Sequence, residues 1–70
     1  MSKYRIRVSR SFRDLRLDLN GELRAMGLFK KRFGSKALAE RAIEQISNHS
    51  RATISEPKHF VVCEVTTHHW

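Results

Sequence analysis

His59, Cys63, His68 and His69 bring three imidazoles and one thiol within a dozen residues, so metal binding is the first chemistry to weigh. Their spacings of four, five and one match no common zinc pattern. Cys63 also ends the apolar run Phe60-Val61-Val62-Cys63, where a thiol packs as a small interior hydrophobe. Neither metal nor cofactor is expected, and His49, alone in its stretch, reads as an exposed loop residue. Catalysis would need a nucleophile with an orienting base, or paired carboxylates in a cleft. The acidic residues instead interleave with basic ones at strand and helix spacing, as on a solvated face. Gly27 and Gly34 are isolated, so there is neither a phosphate-cradling loop nor a dinucleotide fingerprint. No enzyme is expected.

The remaining constellation is Gly27-Leu28-Phe29-Lys30-Lys31-Arg32-Phe33-Gly34. Basic side chains interleaved with aromatics neutralise phosphates and offer faces for base stacking in single-strand binders. The segment lacks the spacing of the RRM signature, and Phe33, beside a helix start, reads as core. Phe29 stands between core and surface. Phe12, flanked by Arg10 and Arg13, is the aromatic expected to be exposed.

Charge follows the same half of the chain. The 70 residues hold 14 Lys+Arg against 7 Asp+Glu, a net +7. Residues 1–34 contain ten basic and three acidic side chains, and residues 35–70 contain four of each, so the first half carries the whole excess. Such asymmetry points to an electrostatic binding surface. A chain this short buries only ~60% of its extended surface on folding. One small basic domain over residues 1–70 is expected, with no deep catalytic pocket. A single cysteine excludes an internal disulfide and suits a reducing compartment. Met1 to Arg10 lacks an apolar stretch of signal-peptide length, and no segment approaches the ~20 apolar residues of a membrane span. A cytoplasmic protein without membrane contact is expected.

The elements that must position these residues follow from periodicity. Tyr4, Ile6 and Val8 alternate with Lys3, Arg5 and Arg7, the period-2 pattern of a half-buried strand with a basic outer face. Leu15 and Leu17 alternate with Asp14, Arg16 and Asp18, and Leu23 and Ala25 resume the pattern after Asn20-Gly21, which reads as a hairpin. A type I turn at Asp18-Leu19-Asn20-Gly21 with a glycine bulge sets Leu17 against Leu23 and Arg16 against Arg24. That like-charge pair is destabilising unless an anion sits over it. Gly27 marks a bulge or bend. If the strand phase holds through it, Met26 and Leu28 lie on the wet face; if it slips, both are buried.

Ser35 is a good N-cap for a helix from Lys36 to about Ser47. Leu38, Ala39, Ala42, Ile43 and Ile46 form its apolar stripe, opposite a charge-balanced polar face of Lys36, Glu40, Arg41, Glu44 and Gln45. Phe60 to Thr66 reads as a covered strand, and Ala52 to Ser55 as a short strand that pairs with it through a turn at Glu56-Pro57-Lys58-His59. The stretch around Asn48-His49-Ser50 and the tail Thr67-His68-His69-Trp70 read as flexible. The expected fold is α+β: an antiparallel sheet of four to five strands with one helix on one face, in the order β-β-β-α-β with a further short strand possible after the helix. Three basic strands followed by a helix, over residues 3–47, resemble the amino-terminal arm-binding domain of tyrosine recombinases. The likeness is one of element order alone, and no residue role is carried over.

Two functions fit. The first is nucleic-acid binding, DNA or RNA, through Arg5, Arg7, Arg16 and Arg24 on the open sheet face, Arg10, Phe12 and Arg13 in the adjoining link, and Lys30, Lys31 and Arg32 at the edge. The second is a small inhibitor or adaptor of the kind phages and mobile elements use against host machinery, anti-CRISPR proteins among them. It would dock the same basic face on an acidic protein or nucleoprotein surface, with Met26 and Leu28 as an apolar centre. An exposed sheet edge also leaves pairing of two copies into a homodimer open.

Overall fold

Tyr4, Ile6 and Val8 alternate with charged residues because residues 2–8 do form a strand, β1 (Ser2–Val8), in the computed structural model of the chain. Residues 2–66 are described. The tail Thr67–Trp70, expected to be flexible, and with it His68 and His69, lies outside the described residues. β1 pairs antiparallel with β2 (Phe60–Thr66) along its full length, from Ser2 opposite Thr66 to Val8 opposite Phe60. Between them run a 3-10 turn (Arg10–Leu15), α1 (Arg16–Ala25), α2 (Lys36–Glu44) and two short 3-10 turns, Ile46–Asn48 and Pro57–His59. Ile6 and Phe60 from the inner face of this ribbon meet Leu19 and Leu23 of α1, Ala39 and Ile43 of α2, Phe33 just before α2, and Ile46. These side chains are the core.

The class is α+β, but the architecture corrects the expected one. The described residues hold two strands in one antiparallel sheet and two helices, not four to five strands with one helix. The expected hairpin over residues 14–25 is α1. Of the alternating leucines only Leu23 is buried: Leu17 is 83% exposed and Leu15 42%, whereas Leu19 and Glu22, outside the alternation, are buried with Leu23. The stripe that found a partner has helical spacing, so Arg16 and Arg24 are no cross-strand pair. Without three basic strands, the resemblance to the arm-binding domain also falls.

Two glycines mark the difference. Gly27, at φ +75°, ends α1 in a Schellman motif. Its N–H donates to Arg24 O at 3.1 Å and that of Leu28 to Leu23 O at 2.8 Å, while Leu28 packs against the core beside Leu23. Gly21 sits inside α1, and a Cβ built there meets nothing within 4 Å. Glycine costs roughly 0.5–1 kcal/mol against alanine inside a helix. Gly21→Ala is therefore expected to stabilise the protein by about that amount in urea unfolding. A left-handed turn glycine would give the opposite sign.

α2 begins as expected, with the Ser35 hydroxyl accepting from Leu38 N–H at 3.3 Å. It ends at Glu44, earlier than expected, and Ile46 continues its apolar stripe from a 3-10 turn. Leu38, placed in that stripe by its spacing, is 52% exposed. Phe33 exchanges both backbone hydrogen bonds with Tyr4, at 3.0 and 2.7 Å, in an isolated bridge that belongs to neither strand pairing nor helix.

The strand expected over Ala52–Ser55 is a loop, and its backbone donors are satisfied by a side chain. Glu22 Oε1 accepts from the N–H groups of Thr53 (2.7 Å), Ile54 (2.7 Å) and Ser55 (3.0 Å), and Oε2 accepts the Thr53 hydroxyl at 3.0 Å. Arg51 Nη1 donates to Ala25 O at 3.2 Å, at the C-terminal end of α1. The loop is thus strapped to α1 at two points. No described helix is long and apolar enough to cross a membrane.

Candidate functional site

The basic outer face is built by the first sixteen residues. Since residues directly opposite share a face, Lys3, Arg5 and Arg7 of β1 lie beside Val65, Cys63 and Val61 of β2. The chain then leaves the ribbon at Ser9, whose side chain accepts from Ser11 N–H and whose own N–H donates to His59 O at 2.7 Å. Arg10 and Arg13 follow in the 3-10 turn and Arg16 opens α1, and the three line one recess. The turn is kinked at Phe12 (φ −121°, ψ 29°).

Two adjoining clefts result. The first, about 540 Å³, is walled by Arg7, Arg10, Arg13 and Arg16 over a floor of Val8, Val61 and Cys63. The second, about 350 Å³, is lined by Arg5, Arg7, Arg16, Leu17, Asn20 and Phe29, and shares Arg7, Val8 and Arg16 with the first. No acidic side chain lines either cleft. Among the described residues, Lys36 pairs with Glu40 at 3.8 Å and Lys58 with Glu56 at 3.3 Å, and neither pair involves any of the five arginines. Four like charges around the first recess and three around the second repel one another, and a bound anion relieves that cost.

The other expected site residues are placed differently. Arg24 lines neither cleft; its guanidinium carbon lies 4.8 Å from the centroid of the Phe29 ring. Lys30 Nζ lies 5.5 Å from the same ring, and Lys31 Nζ 5.4 Å from that of Phe33. Arg32 is exposed, and none of residues 30–32 lines either cleft. Phe12, expected to be exposed, is half-buried and meets His59 edge-on with centroids 4.6 Å apart. The apolar floor beneath the link leaves a ring there nowhere better to go. Met26 and Leu28 are half-buried against the core, because Gly27 ends a helix rather than continuing a strand.

Cys63 corrects its expected interior place: it is half-buried on the arginine face and lines the first cleft. His59, by contrast, is buried, and its Nδ1 accepts from Glu56 N–H at 2.9 Å. Among the described residues no three of His, Cys, Asp and Glu are grouped to hold a metal ion. A third groove, about 340 Å³ between α2 and β2, carries Lys36, Glu40 and Glu44. This mixed charge fits the balanced polar face expected of α2.

Arg10 and Arg13 were expected in a link and Arg16 on the adjoining strand of the same basic surface; the structure puts them in a 3-10 turn and at the start of α1, around one recess. Glu22, expected on a solvated face, is buried, and no local sign marks it. No protein-family model matches the chain, and no curated protein or solved structure matches it either.

Proposed function

We propose that this chain is a nucleic-acid-binding protein, carrying out no reaction, that grips phosphates in the cleft of Arg5, Arg7, Arg10, Arg13 and Arg16. The observation that carries the reading is the convergence of five arginines, none in an ion pair, on two contiguous recesses without acidic lining. Guanidinium groups match phosphate oxygens in bidentate geometry. Arg24, Lys30, Lys31 and Arg32 add outlying positive charge.

A salt titration tests it. Each neutralised phosphate contributes a slope of about −0.7 (single strand) to −0.9 (duplex) in log K against log salt. Five contacts thus cost roughly 100-fold in affinity or more between 50 and 200 mM salt. An affinity unchanged over that range overturns the reading. The inhibitor reading drew on an exposed Met26–Leu28 pair, which the fold does not provide. Capture of a stoichiometric acidic protein in the presence of nuclease, with no affinity for oligonucleotides, would restore it.

A further inference from the structure

We propose that the two clefts take an unpaired strand, its phosphates among the arginines and one base seated beside Phe29. This rests on the nucleic-acid reading above and narrows it to single-stranded ligands.

The clefts change chemistry along their length. At one end Arg7, Arg10, Arg13 and Arg16 surround the larger recess, which offers guanidinium groups and little else that is polar. At the other end Arg5, Arg7 and Arg16 share the lining with Leu17, Asn20 and the half-buried ring of Phe29. Arg24 and Lys30 hold positive charge 4.8 and 5.5 Å from the centroid of that ring. Phosphate chemistry thus grades into base chemistry. An apolar wall, an aromatic ring flanked by a planar cation, and an amide able to both donate and accept suit a nucleobase. Arg7 and Arg16 border both recesses and join the two ends.

Shape argues the same way. Recesses of about 540 and 350 Å³ are the size of small-molecule pockets and admit groups that project one at a time. The bases of a duplex are stacked inside it and cannot enter such a recess, whereas those of an unpaired strand splay outward. Phe29 was the aromatic of the Gly27–Gly34 segment that stood between core and surface, and its place at the cleft end gives it a use there.

The test compares three labelled ligands by fluorescence anisotropy: an oligo(dT) of about ten nucleotides, an abasic strand of the same length and charge, and a duplex of that length. The oligo(dT) is expected to bind tightest. The abasic strand should bind roughly 10-fold more weakly with the same salt slope, since contacts to the base are lost and phosphate contacts are kept. Phe29→Leu should weaken oligo(dT) about as much and leave the abasic strand unaffected. Because the abasic comparison uses the unaltered protein, it stands even if Phe29→Leu disturbs the core. Tighter binding of the duplex, or equal binding of the abasic strand, overturns the single-strand assignment while leaving nucleic-acid binding in place. Failure to bind any of the three overturns both.

Discussion

Replacing Glu22 by glutamine is expected to lower stability at neutral pH by about 2–3 kcal/mol. The carboxylate is 9% exposed and accepts four hydrogen bonds from the 53–55 loop, three of them from consecutive backbone N–H groups. Hydrogen bonds to an ionised acceptor are roughly twice as strong as neutral ones. The amide keeps the shape of the side chain but loses that charge and turns an N–H₂ toward one of the donors. For 70 residues the whole stability is about 4–10 kcal/mol, so the variant forfeits a large share of it. Glu22→Ala should cost more, because three consecutive backbone donors, that of buried Ser55 among them, lose their acceptor. Urea unfolding of both variants gives the comparison. An unfolding midpoint unchanged in Glu22→Gln would mean that the loop holds itself.

The same carboxyl predicts a pH dependence. Its pKa is lowered from 4.5 to about 2, chiefly by the Ile54 N–H, against the opposing effect of burial and with help from Thr53 and Ser55. A depressed pKa means that the unfolded chain takes up the proton more readily than the native one. The stabilisation is therefore complete above about pH 4.5 and is lost as pH falls toward 2. By linkage that loss is the part of the stabilisation that depends on the charge of the carboxylate. The difference between wild type and Glu22→Gln should accordingly shrink over that window, and a difference constant with pH would assign the stabilisation to packing instead.

What the sequence could disclose divides along the range of the interactions involved. β1, β2 and the start of α2 are set by short-range patterns: period-2 alternation at Tyr4, Ile6 and Val8, a β-branched run after Phe60, and a capping serine at Ser35. α1 was hidden because Leu15 and Leu17 fit a strand as well as Leu19 and Leu23 fit a helix, and Asn20-Gly21 carries a strong turn signal. The choice is made by what the leucines meet. Leu19 and Leu23 reach the inner face of the ribbon and Leu17 reaches water, so tertiary burial overrides local preference. Glu22 was invisible for the same reason, since its partners lie 31 to 33 residues away. The candidate site was half legible. Its charge is plain from composition, and Arg5 and Arg7 face outward as alternation requires. The grouping with Arg10, Arg13 and Arg16 depends on a turn that the strand reading concealed.

Arg7 and Arg16 border both clefts, whereas Arg5, Arg10 and Arg13 border one each, so replacing that pair tests both recesses at once. The double variant Arg7→Gln/Arg16→Gln should lower affinity for an oligonucleotide roughly 100-fold at low salt, taking about 1.5 kcal/mol for each charge-assisted contact. The slope of log K against log salt should become shallower by about 1.4 for a single strand, as expected when two phosphates are no longer neutralised. Single replacements at Arg10 or Arg13 should cost about 10-fold each. Folding should be little affected, because Arg7 and Arg16 are exposed and make no ion pair. Removing two mutually repelling charges also relieves strain in the free protein, so a small gain in stability is the natural companion of lost binding. Arg41→Gln, on the charge-balanced polar face of α2, removes a positive charge from outside both clefts and serves as the control. If it weakens binding as much per charge as the cleft variants do, attraction is a property of net charge alone and the cleft has no special part in it. A shallower slope confined to the cleft variants would tie the released counterions to the arginines that the turn brings together.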